Sequence, residues 1–435
     1  MSNGTSAGTR TPAERPRTRR RGPVELRLNP PWRGPCLPVF DAPPYSERTG
    51  ASVRRTAVLA VAGIVAVLGA CTMQPPPVEP AVPEGDDLVG MNELQYLGTH
   101  NSYIVKPSVG LLNLLKIGAS LFPDLAGSGL DPAQLDYSHR PLSQQLSSGL
   151  RTFELDLFAD PEGGRFASPL AAELLNEPYP TGVDQPGTKV LHIQEINYLS
   201  TCPTLVACLG ELRTFSDANP AHLPIIVNLE MKEDALPAPF DVTPITPFDT
   251  TQLAVVESEI ASVLGDRLIT PDEVRGDAAD LSTAVTTTGW PSVADARGRF
   301  LFFVDNPGAV QDRYLDLHPN LQGALMFTSA GFGAPHAGVL KVNDPGDGTE
   351  IRSLVEQGYL VRTRADADVV NPSVSQRDRA LTSGGQVVHS DFPKGEPKFG
   401  TGYVVEFPTR VQARCNPVLT TPETCGPAVA VEPAL

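Results

Sequence analysis

The ten residues LQYLGTHNSY, at positions 94–103, decide how the rest of the chain is interpreted. An apolar run that suits a β-strand ends at Gly98 and Thr99, and His100 and Asn101 follow on the next turn. An imidazole beside an amide at the carboxyl end of a strand can transfer a proton and contact a metal-bound substrate. We therefore expect the downstream chain to bring further ligands to this position.

Eight strand-like runs recur along the chain and are separated by segments with helical patterns, such as PLSQQLSSGL and TQLAVVESEIASVLG. The runs cover residues 94–98, 151–157, 189–194, 224–230, 299–305, 323–327, 359–364 and 386–390. Several of them, such as PIIVNLE and FLFFVDN, are almost continuously apolar, which is typical of parallel strands buried on both faces. The alternation predicts an α/β fold, a (β/α)₈ TIM barrel, with a doubly wound open sheet as the alternative.

Polar side chains mark the ends of the first four runs, where a barrel carries its functional residues. The second run contains Glu154 and Asp156, whose spacing of two points both carboxylates to the same side of a strand. The third run contains His192, and the fourth ends at Glu230, with Lys232 two residues later. Each feature alone has a simpler explanation, because an E-x-D pair is often a solvated face and a strand histidine is often a core residue. Their coincidence at consecutive strand ends favours a site, since burying such groups without a metal or substrate is costly.

The oxygen-rich composition of this set predicts the metal. Asn101 and the carboxylates of Glu154, Asp156 and Glu230 would suit a hard cation such as Ca²⁺. Zinc would more naturally recruit the imidazoles, which here remain free for proton transfer.

The bulk composition excludes one large class of partner. The chain has 435 residues, 41% of them hydrophobic, and a formal charge of −16. Residues 1–70 contain 11 arginines and 4 acidic residues, a net +7, so the remainder carries −23. An acidic body repels nucleic acid and suits a cation-binding or exported protein.

The amino-terminal region predicts export. Residues 1–52 are rich in Arg, Pro and Gly, and we interpret them as a disordered or non-native extension. Residues 53–71 have the layout of a signal peptide and end in LGAC, which resembles the bacterial lipobox, so Cys71 is the expected lipidation site. Plain secretion is the alternative. A Pro-rich tether over 72–89 would then connect the anchor to a single catalytic domain over 90–435.

Cysteine spacing agrees with export. Cys202 and Cys208 form one close pair in the sequence, and Cys415 and Cys425 form another. Even numbers and close spacing in an exported chain favour disulfides, and no C-x-x-C motif supports the competing zinc site. We expect both pairs to close loops.

Several motifs, taken in order, resemble one enzyme family. THNSY, YSHRPLSQQL with GLRTFELD, VLHI, IIVNLEMK, and the late segments RTRADADV and RDRALTSGGQVVHSDF are similar to the calcium-dependent phosphoinositide-specific phospholipase C family in its bacterial branch, which has the PLC-like phosphodiesterase type of barrel. The similarity covers roughly residues 90–395. It implies cleavage of phosphatidylinositol-type phospholipids to diacylglycerol and an inositol (cyclic) phosphate.

The resemblance also implies a role for each matching position. His100 would stabilise the transition state or shuttle a proton, and His192 would be the general acid towards the leaving alkoxide. The four expected Ca²⁺ ligands are Asn101, Glu154, Asp156 and Glu230, and Glu154 is also the candidate base for the inositol 2-hydroxyl. The expected substrate contacts are Lys232 and, with a surface cluster as the alternative, Arg362, Arg364 and Asp366.

The expected partner is a phospholipid at a membrane surface, and the protein is expected to be a monomeric, exported lipoprotein of the bacterial cell envelope. Two other functions remain open. A glycerophosphodiester phosphodiesterase shares the barrel, the carboxylate pair and paired histidines, but it begins its site with His-Arg-Gly and reaches the carboxylates sooner. A non-catalytic surface lipoprotein that binds headgroups is the second alternative, and His100 and His192 argue against it.

Three further features receive provisional interpretations. His139, in YSHRPL, is expected to pack or to start a helix, and His389, in VVHSDF, to lie in the core or to support the site. The segment VGLLNLLKIGASLF either dips into lipid or lines the entrance for the acyl chains, or it packs on the barrel as an ordinary helix, which we prefer.

Overall fold

The computed structural model describes residues 85–121, 130–234, 242–394, 396, 401–407, 413–421 and 425. The expected extension, the signal peptide with Cys71, and most of the expected tether lie outside these residues. The end of the tether, 85–89, lies against the domain, where Asp86 is buried and forms an ion pair with Arg297. Among the described helices, none combines the length and the hydropathy that a membrane span requires.

The described residues form ten strands. They are β1 Leu94–Thr99, β2 Thr152–Phe158, β3 Lys189–Val190, β4 Ile225–Met231, β5 Phe300–Val304, β6 Phe327–Thr328, β7 Val339–Lys341, β8 Leu360–Arg364, β9 Val387–Ser390 and β10 Ala413–Cys415.

Twelve α-helices occur within the same residues. They are α1 Val109–Leu121, α2 Pro132–Leu135, α3 Leu142–Ser147, α4 Leu170–Leu175, α5 Leu205–Ala218, α6 Thr250–Leu264, α7 Pro271–Arg275, α8 Leu281–Thr287, α9 Val293–Ala296, α10 Ala309–Leu317, α11 Thr349–Glu356 and α12 Val374–Thr382. Side-chain N-caps begin several of them, for example Thr204 at α5 and Asp249 at α6.

Eight of the strands form a parallel barrel, as the sequence predicts. Their order is β6-β5-β4-β2-β1-β9-β8-β7, and a parallel bridge between Ser329 and Val339 connects the two ends. The apolar run of β5 is fully buried, which agrees with the expectation for strands covered on both faces. The doubly wound open sheet is therefore wrong.

One predicted barrel strand is wrong. In the run 189–194 only β3 is a strand, and it pairs antiparallel with the end of β2 through Leu157 and Val190. β2 and β4 are direct neighbours in continuous parallel register from Thr152 opposite Ile226 to Leu157 opposite Met231, so no barrel position exists between them. The eighth position belongs to β7, whose three residues are too short to give a strand signal in the sequence.

Two disulfides connect the predicted cysteine pairs. Cys202–Cys208 closes the turn that leads into α5, and Cys415–Cys425 follows β10. β10 pairs antiparallel with the amino-terminal half of β1, which attaches the carboxyl-terminal segment to the barrel.

Candidate active site

Three carboxylates converge at the carboxyl ends of β2 and β4. Glu154, Asp156 and Glu230 offer oxygen atoms that all lie within 4.8 Å of one another. Two features of the strands produce this cluster. The spacing of two places Glu154 and Asp156 on one side of β2, and the parallel register puts Asp156 directly opposite Glu230.

The turn after β1 brings Asn101 to the same end of the barrel. Asn101 has a φ of 46°, a left-handed conformation that Asn tolerates better than most residues. The turn is fixed to β2 because the Ser102 amide donates to the Glu154 carbonyl oxygen at 3.0 Å. The Asn101 side-chain amide nitrogen donates to the Tyr137 hydroxyl at 3.0 Å, so the amide oxygen is the atom available to a cation.

The positive charge of Lys232 partly offsets the negative charges of the carboxylate cluster at Asp156 and Glu230. Both Asp156 oxygens are buried without a well-aligned hydrogen bond from the described residues, and the Lys232 Nζ lies 3.0 Å from Oδ2 and 2.9 Å from a Glu230 oxygen. Burial and the neighbouring charges of Glu230 and Glu154 raise the pKa of Asp156 well above its ordinary value, against the effect of Lys232. Buried carboxylate oxygens beside an amide oxygen fit a hard divalent cation, so the donor set suits Ca²⁺.

His100 is oriented by Asp391, the residue that follows β9. The His100 Nδ1 lies 3.0 Å from one Asp391 oxygen, and Arg364 donates to the other at 3.1 Å. Burial raises the pKa of Asp391, but His100, His139 and Arg364 outweigh it and hold the pKa below its ordinary value. Because Asp391 is therefore ionised, Nδ1 carries the proton and Nε2 faces Glu154, whose Oε1 lies 3.9 Å away.

Two buried side chains contact the Glu154 carboxylate. Arg362 forms an ion pair with Oε2, and the His389 Nδ1 lies 3.1 Å from the same oxygen. Burial would raise the pKa of Glu154, but Arg362, His100 and His389 together lower it well below its ordinary value. The Glu154 Oε2 atom therefore contacts the buried side chains of Arg362 and His389, while Oε1 faces His100.

His192 reaches the site from a loop instead of a barrel strand. The Leu191 amide donates to the Asp156 carbonyl oxygen at 3.3 Å, which places the loop against the end of β2. The Asn197 amide nitrogen donates to a carbonyl, so its oxygen accepts from the His192 Nδ1 at 3.0 Å and leaves Nε2 free to exchange a proton. Burial and the charge of Lys232 lower the pKa of His192 to about 3.

The predicted substrate contacts lie at different depths. Arg364 is partly exposed beside Asp391, and Lys232 bridges two carboxylates of the cluster. Arg362 is buried against Glu154, and Asp366 is buried where it accepts from the Ser390 hydroxyl. The sequence predicts that Arg362 and Asp366 contact the substrate, but both side chains are buried. Their positions suit residues that hold Glu154 and Ser390 in place.

The sequence interpretation overlooked Asp391. It stands directly after a barrel strand, so the strand-end rule that selected Glu230 could have found it. His389 supports Glu154, as one of its two interpretations expected, and His139 is buried behind His100, with Nε2 3.1 Å from the His100 carbonyl oxygen.

The comparison with protein families adds the deciding observation. Residues 89–417 match the family model described as phosphoinositide phospholipase C, Ca²⁺-dependent. The chain belongs to this family. It is therefore a phosphoinositide-specific phospholipase C that depends on Ca²⁺, and the carboxylates of Glu154, Asp156 and Glu230 lie close enough together to hold a metal ion.

Similar solved structures are distant from this chain in sequence. The calcium-dependent phosphoinositol-specific phospholipase C from a Pseudomonas species is 14% identical, covers 77% of this chain and 98% of its own, and has a TM-score of 0.46. The Ca²⁺-dependent enzyme from Streptomyces antibioticus is 18% identical over 70% of this chain and 95% of its own, with a TM-score of 0.43. The phosphatidylinositol-specific phospholipase C from Listeria monocytogenes is 15% identical over 70% and 89%, with a TM-score of 0.37. No curated protein sequence matches this phospholipase C.

The two disulfides indicate that this phospholipase C is an exported protein, because such bonds persist in oxidising compartments.

Proposed function

We propose that this phospholipase C cleaves phosphatidylinositol into diacylglycerol and a cyclic inositol phosphate. The observation that carries the proposal is the position of His100, which Asp391 holds with Nε2 towards Glu154 in the carboxylate cluster. A proton-transfer group, a candidate base and a cation site thus face one volume at the end of the barrel. Phosphodiester cleavage needs all three.

In this proposal Asn101, Glu154, Asp156 and Glu230 bind Ca²⁺. The bound ion would lower the pKa of the inositol 2-hydroxyl and offset the negative charge of the phosphate. Glu154, whose pKa is depressed, is a weak base. It would therefore accept a proton only from a hydroxyl whose pKa is lowered.

The proposed reaction has the following bond changes. Glu154 accepts the proton of the 2-hydroxyl, whose oxygen forms a bond to the adjacent phosphorus. The bond from phosphorus to the glycerol oxygen breaks, and His192 donates a proton from Nε2 to the leaving oxygen. The attack is intramolecular and gains a large proximity advantage. His100, with Nδ1 held by Asp391, donates from Nε2 to a phosphate oxygen when it is protonated.

His192 can serve as the acid only in the substrate complex. With a pKa of about 3 it is neutral at physiological pH in the free protein. The negative charge of a phosphodiester next to it would raise that pKa, because an opposite charge stabilises the imidazolium ion. The acid is therefore generated by substrate binding.

His100→Ala tests the assignment. We expect turnover of phosphatidylinositol vesicles to fall by about 10²–10⁴-fold, since a positioned acid–base group contributes about that much. His336→Ala, a partly exposed histidine in the loop before β7, is the matched control and should retain activity. Full activity in His100→Ala would contradict the assignment of His100 as an acid–base group, provided that circular dichroism shows both variants folded.

A panel of phospholipids, assayed with Ca²⁺ and with EDTA, tests the reaction itself. Phosphorus NMR should show a cyclic inositol phosphate from phosphatidylinositol that appears only with Ca²⁺. Release of glycerol phosphate from deacylated lipid would instead identify a glycerophosphodiester phosphodiesterase. A headgroup-binding protein would release neither product.

The proposed location is the outer surface of a bacterial membrane, where a monomer is attached through a lipid on Cys71. The support is the LGAC motif at the end of the apolar segment, which lies outside the described residues. Incorporation of labelled fatty acid, which replacement of Cys71 by Ala should abolish, tests the attachment.

A further inference from the structure

His139 is attached to both ends of the turn that follows β1. Its ring Nε2 lies 3.1 Å from the His100 carbonyl oxygen, and its backbone amide donates to the Ile104 carbonyl oxygen at 3.0 Å. A carbonyl oxygen can only accept a hydrogen bond, so Nε2 carries a proton. The turn that presents His100 and Asn101 is therefore fastened by one residue whose side chain is fully buried.

The other ring nitrogen of His139 faces a carboxylate. Within the described residues Nδ1 has no well-aligned hydrogen bond, and the Glu396 Oε2 atom is its charged neighbour at 3.5 Å. The Arg140 backbone amide donates to the same oxygen at 2.9 Å, and the Arg140 guanidinium donates to Oε1 at 2.6 and 2.8 Å. Burial raises the pKa of Glu396, but His139 and Arg140 outweigh it and hold the pKa below its ordinary value. Nδ1 therefore faces a negative charge.

A second carboxylate lies beside the protonated nitrogen of His139. The Asp391 Oδ1 atom is 3.8 Å from Nε2. Burial lowers the pKa of His139, but Asp391 and Glu396 outweigh it and raise the pKa above 6.5. A neutral ring would leave two buried carboxylates without this counter-charge, which costs more free energy than keeping the ring charged. The surroundings thus favour a proton on both ring nitrogens.

Asp391 connects His139 to the ring of His100. Its Oδ1 atom lies 3.0 Å from the His100 Nδ1, on the same side as His139, and Arg364 donates to Oδ2 at 3.1 Å. The Asp391 carboxylate therefore has a cationic neighbour at each oxygen. A carboxylate whose orientation is fixed in this way also fixes the imidazole that donates to it.

We infer that His139 is a positioning residue for His100 and acts as a buried imidazolium between Asp391 and Glu396. Its hydrogen bond to the His100 carbonyl oxygen holds the backbone of the turn, and its charge holds the carboxylate that orients the His100 ring. Glu396, in the segment after the last barrel strand, supplies the counter-charge. The kinetic test of this inference rests on the proposed function, and the spectroscopic test does not.

NMR of the protein with ¹⁵N-labelled histidine, at neutral pH, tests the charge of His139. The chain contains seven histidines, so single variants can assign the spectrum. We expect both ring nitrogens of His139 to carry protons, with signals that disappear in His139→Gln and shift in Glu396→Gln. A His139 ring with only one protonated nitrogen would overturn the inference, whatever the activity of the protein.

Kinetics with phosphatidylinositol vesicles test the positioning. We expect kcat to fall by about tenfold to a hundredfold in His139→Gln with little change in KM, because a small displacement of a reacting group slows the reaction without weakening substrate binding. Glu396→Gln should lower kcat by a smaller factor. Glu396→Asp keeps the negative charge and should recover most of that loss. The two Glu396 variants test the inference independently if His139→Gln does not fold.

His318→Gln is the matched control. The His318 Nε2 lies 2.8 Å from a Glu257 oxygen, and the other Glu257 oxygen accepts from the Leu325 amide just before β6, at the opposite end of the barrel. The variant breaks a histidine–carboxylate pair of the same kind and should keep the wild-type kcat. Wild-type kcat in a folded His139→Gln would overturn the inference, as would an equal loss in His318→Gln. A wild type that does not cleave phosphatidylinositol would contradict the proposed function, and the NMR result would still decide the state of His139.

Discussion

The ammonium group of Lys232 lies where it must influence cation binding. It contacts Asp156 and Glu230, two of the three carboxylates in the cluster, and burial keeps the interaction strong. The two carboxylates in turn raise the pKa of Lys232 despite its burial, so the side chain is charged at all physiological pH values. A divalent cation at the same oxygens is repelled by this fixed charge.

Lys232→Met is therefore expected to bind Ca²⁺ more tightly, by about tenfold or more, which corresponds to roughly 1.4 kcal/mol. Isothermal titration with Ca²⁺ at mildly alkaline pH, where protons compete little for Asp156, measures the change. Lys232→Arg keeps the charge and should bind Ca²⁺ with nearly wild-type affinity. Equal or weaker binding by Lys232→Met would show that the ammonium group does not oppose the ion.

Sequence reasoning at the residue scale found the groups that lie near one another along the chain. His100 and Asn101 are adjacent, and Glu154 and Asp156 share one strand, so a local pattern was sufficient. The link from His100 to Asp391 joins residues 291 positions apart, and that from Arg362 to Glu154 joins residues 208 positions apart. No local pattern contains such pairings, because only the closed barrel brings β9 beside β1.

At the scale of elements, the contact between β1 and β2 depends on a residue without a side chain. Gly98 lies opposite Thr152 in the parallel register, and a Cβ atom at Gly98 would overlap with the Thr152 carbonyl group. The overlap is with backbone, which cannot rotate away. Glycine at this position therefore lets the turn that carries His100 and Asn101 lie close to the carboxylates of β2.

Gly98→Ala should destabilise the protein by about 1–3 kcal/mol, the usual cost of forcing extra atoms into a packed core. Urea unfolding followed by circular dichroism measures the loss. Gly210→Ala, in the middle of α5 with no atom near the added methyl group, is the control and should gain about 0.5–1 kcal/mol from the better helix propensity of alanine. An unchanged unfolding midpoint in Gly98→Ala would contradict the close approach of the two strands.

The element scale also explains why one strand prediction failed. The sequence around Val190 and His192 alternates like a strand, and periodicity predicts the side-chain pattern of a segment but not its neighbours. The competing pairing of β2 with β4 decides the outcome, since it excludes any strand between them. His192 nevertheless reaches the site, because the Asp156 carbonyl oxygen accepts from the Leu191 amide.

For the whole molecule, buried histidines link stability to pH. Burial lowers the pKa of His389 from 6.5 to about 4, although the hydrogen bond to Glu154 opposes the shift. Between these two values the unfolded chain binds a proton at His389 that the folded protein does not bind. Acidification through this range therefore lowers the free energy of unfolding.

His389→Gln should lose less stability than the wild type when the pH falls from neutral to about 5, and the difference should approach 2 kcal/mol. Urea unfolding in EDTA at the two pH values gives the comparison without a contribution from Ca²⁺. The variant itself starts from a lower stability, since Glu154 loses a partner, so the change with pH is the quantity to compare. Parallel pH profiles for the two proteins would contradict a depressed pKa at His389.

The sequence by itself determined the parallel barrel, the cysteine pairs, and the polar residues at the ends of β1, β2 and β4. These features can be predicted from the periodicity and spacing of residues, because the backbone geometry of a strand fixes the direction of each side chain. The tertiary structure decided which strands are neighbours, that Arg362 is buried against Glu154, and that Asp391 orients His100. Those outcomes depend on burial and on contacts between charged residues that are far apart in the sequence. A local sequence pattern contains no information on either.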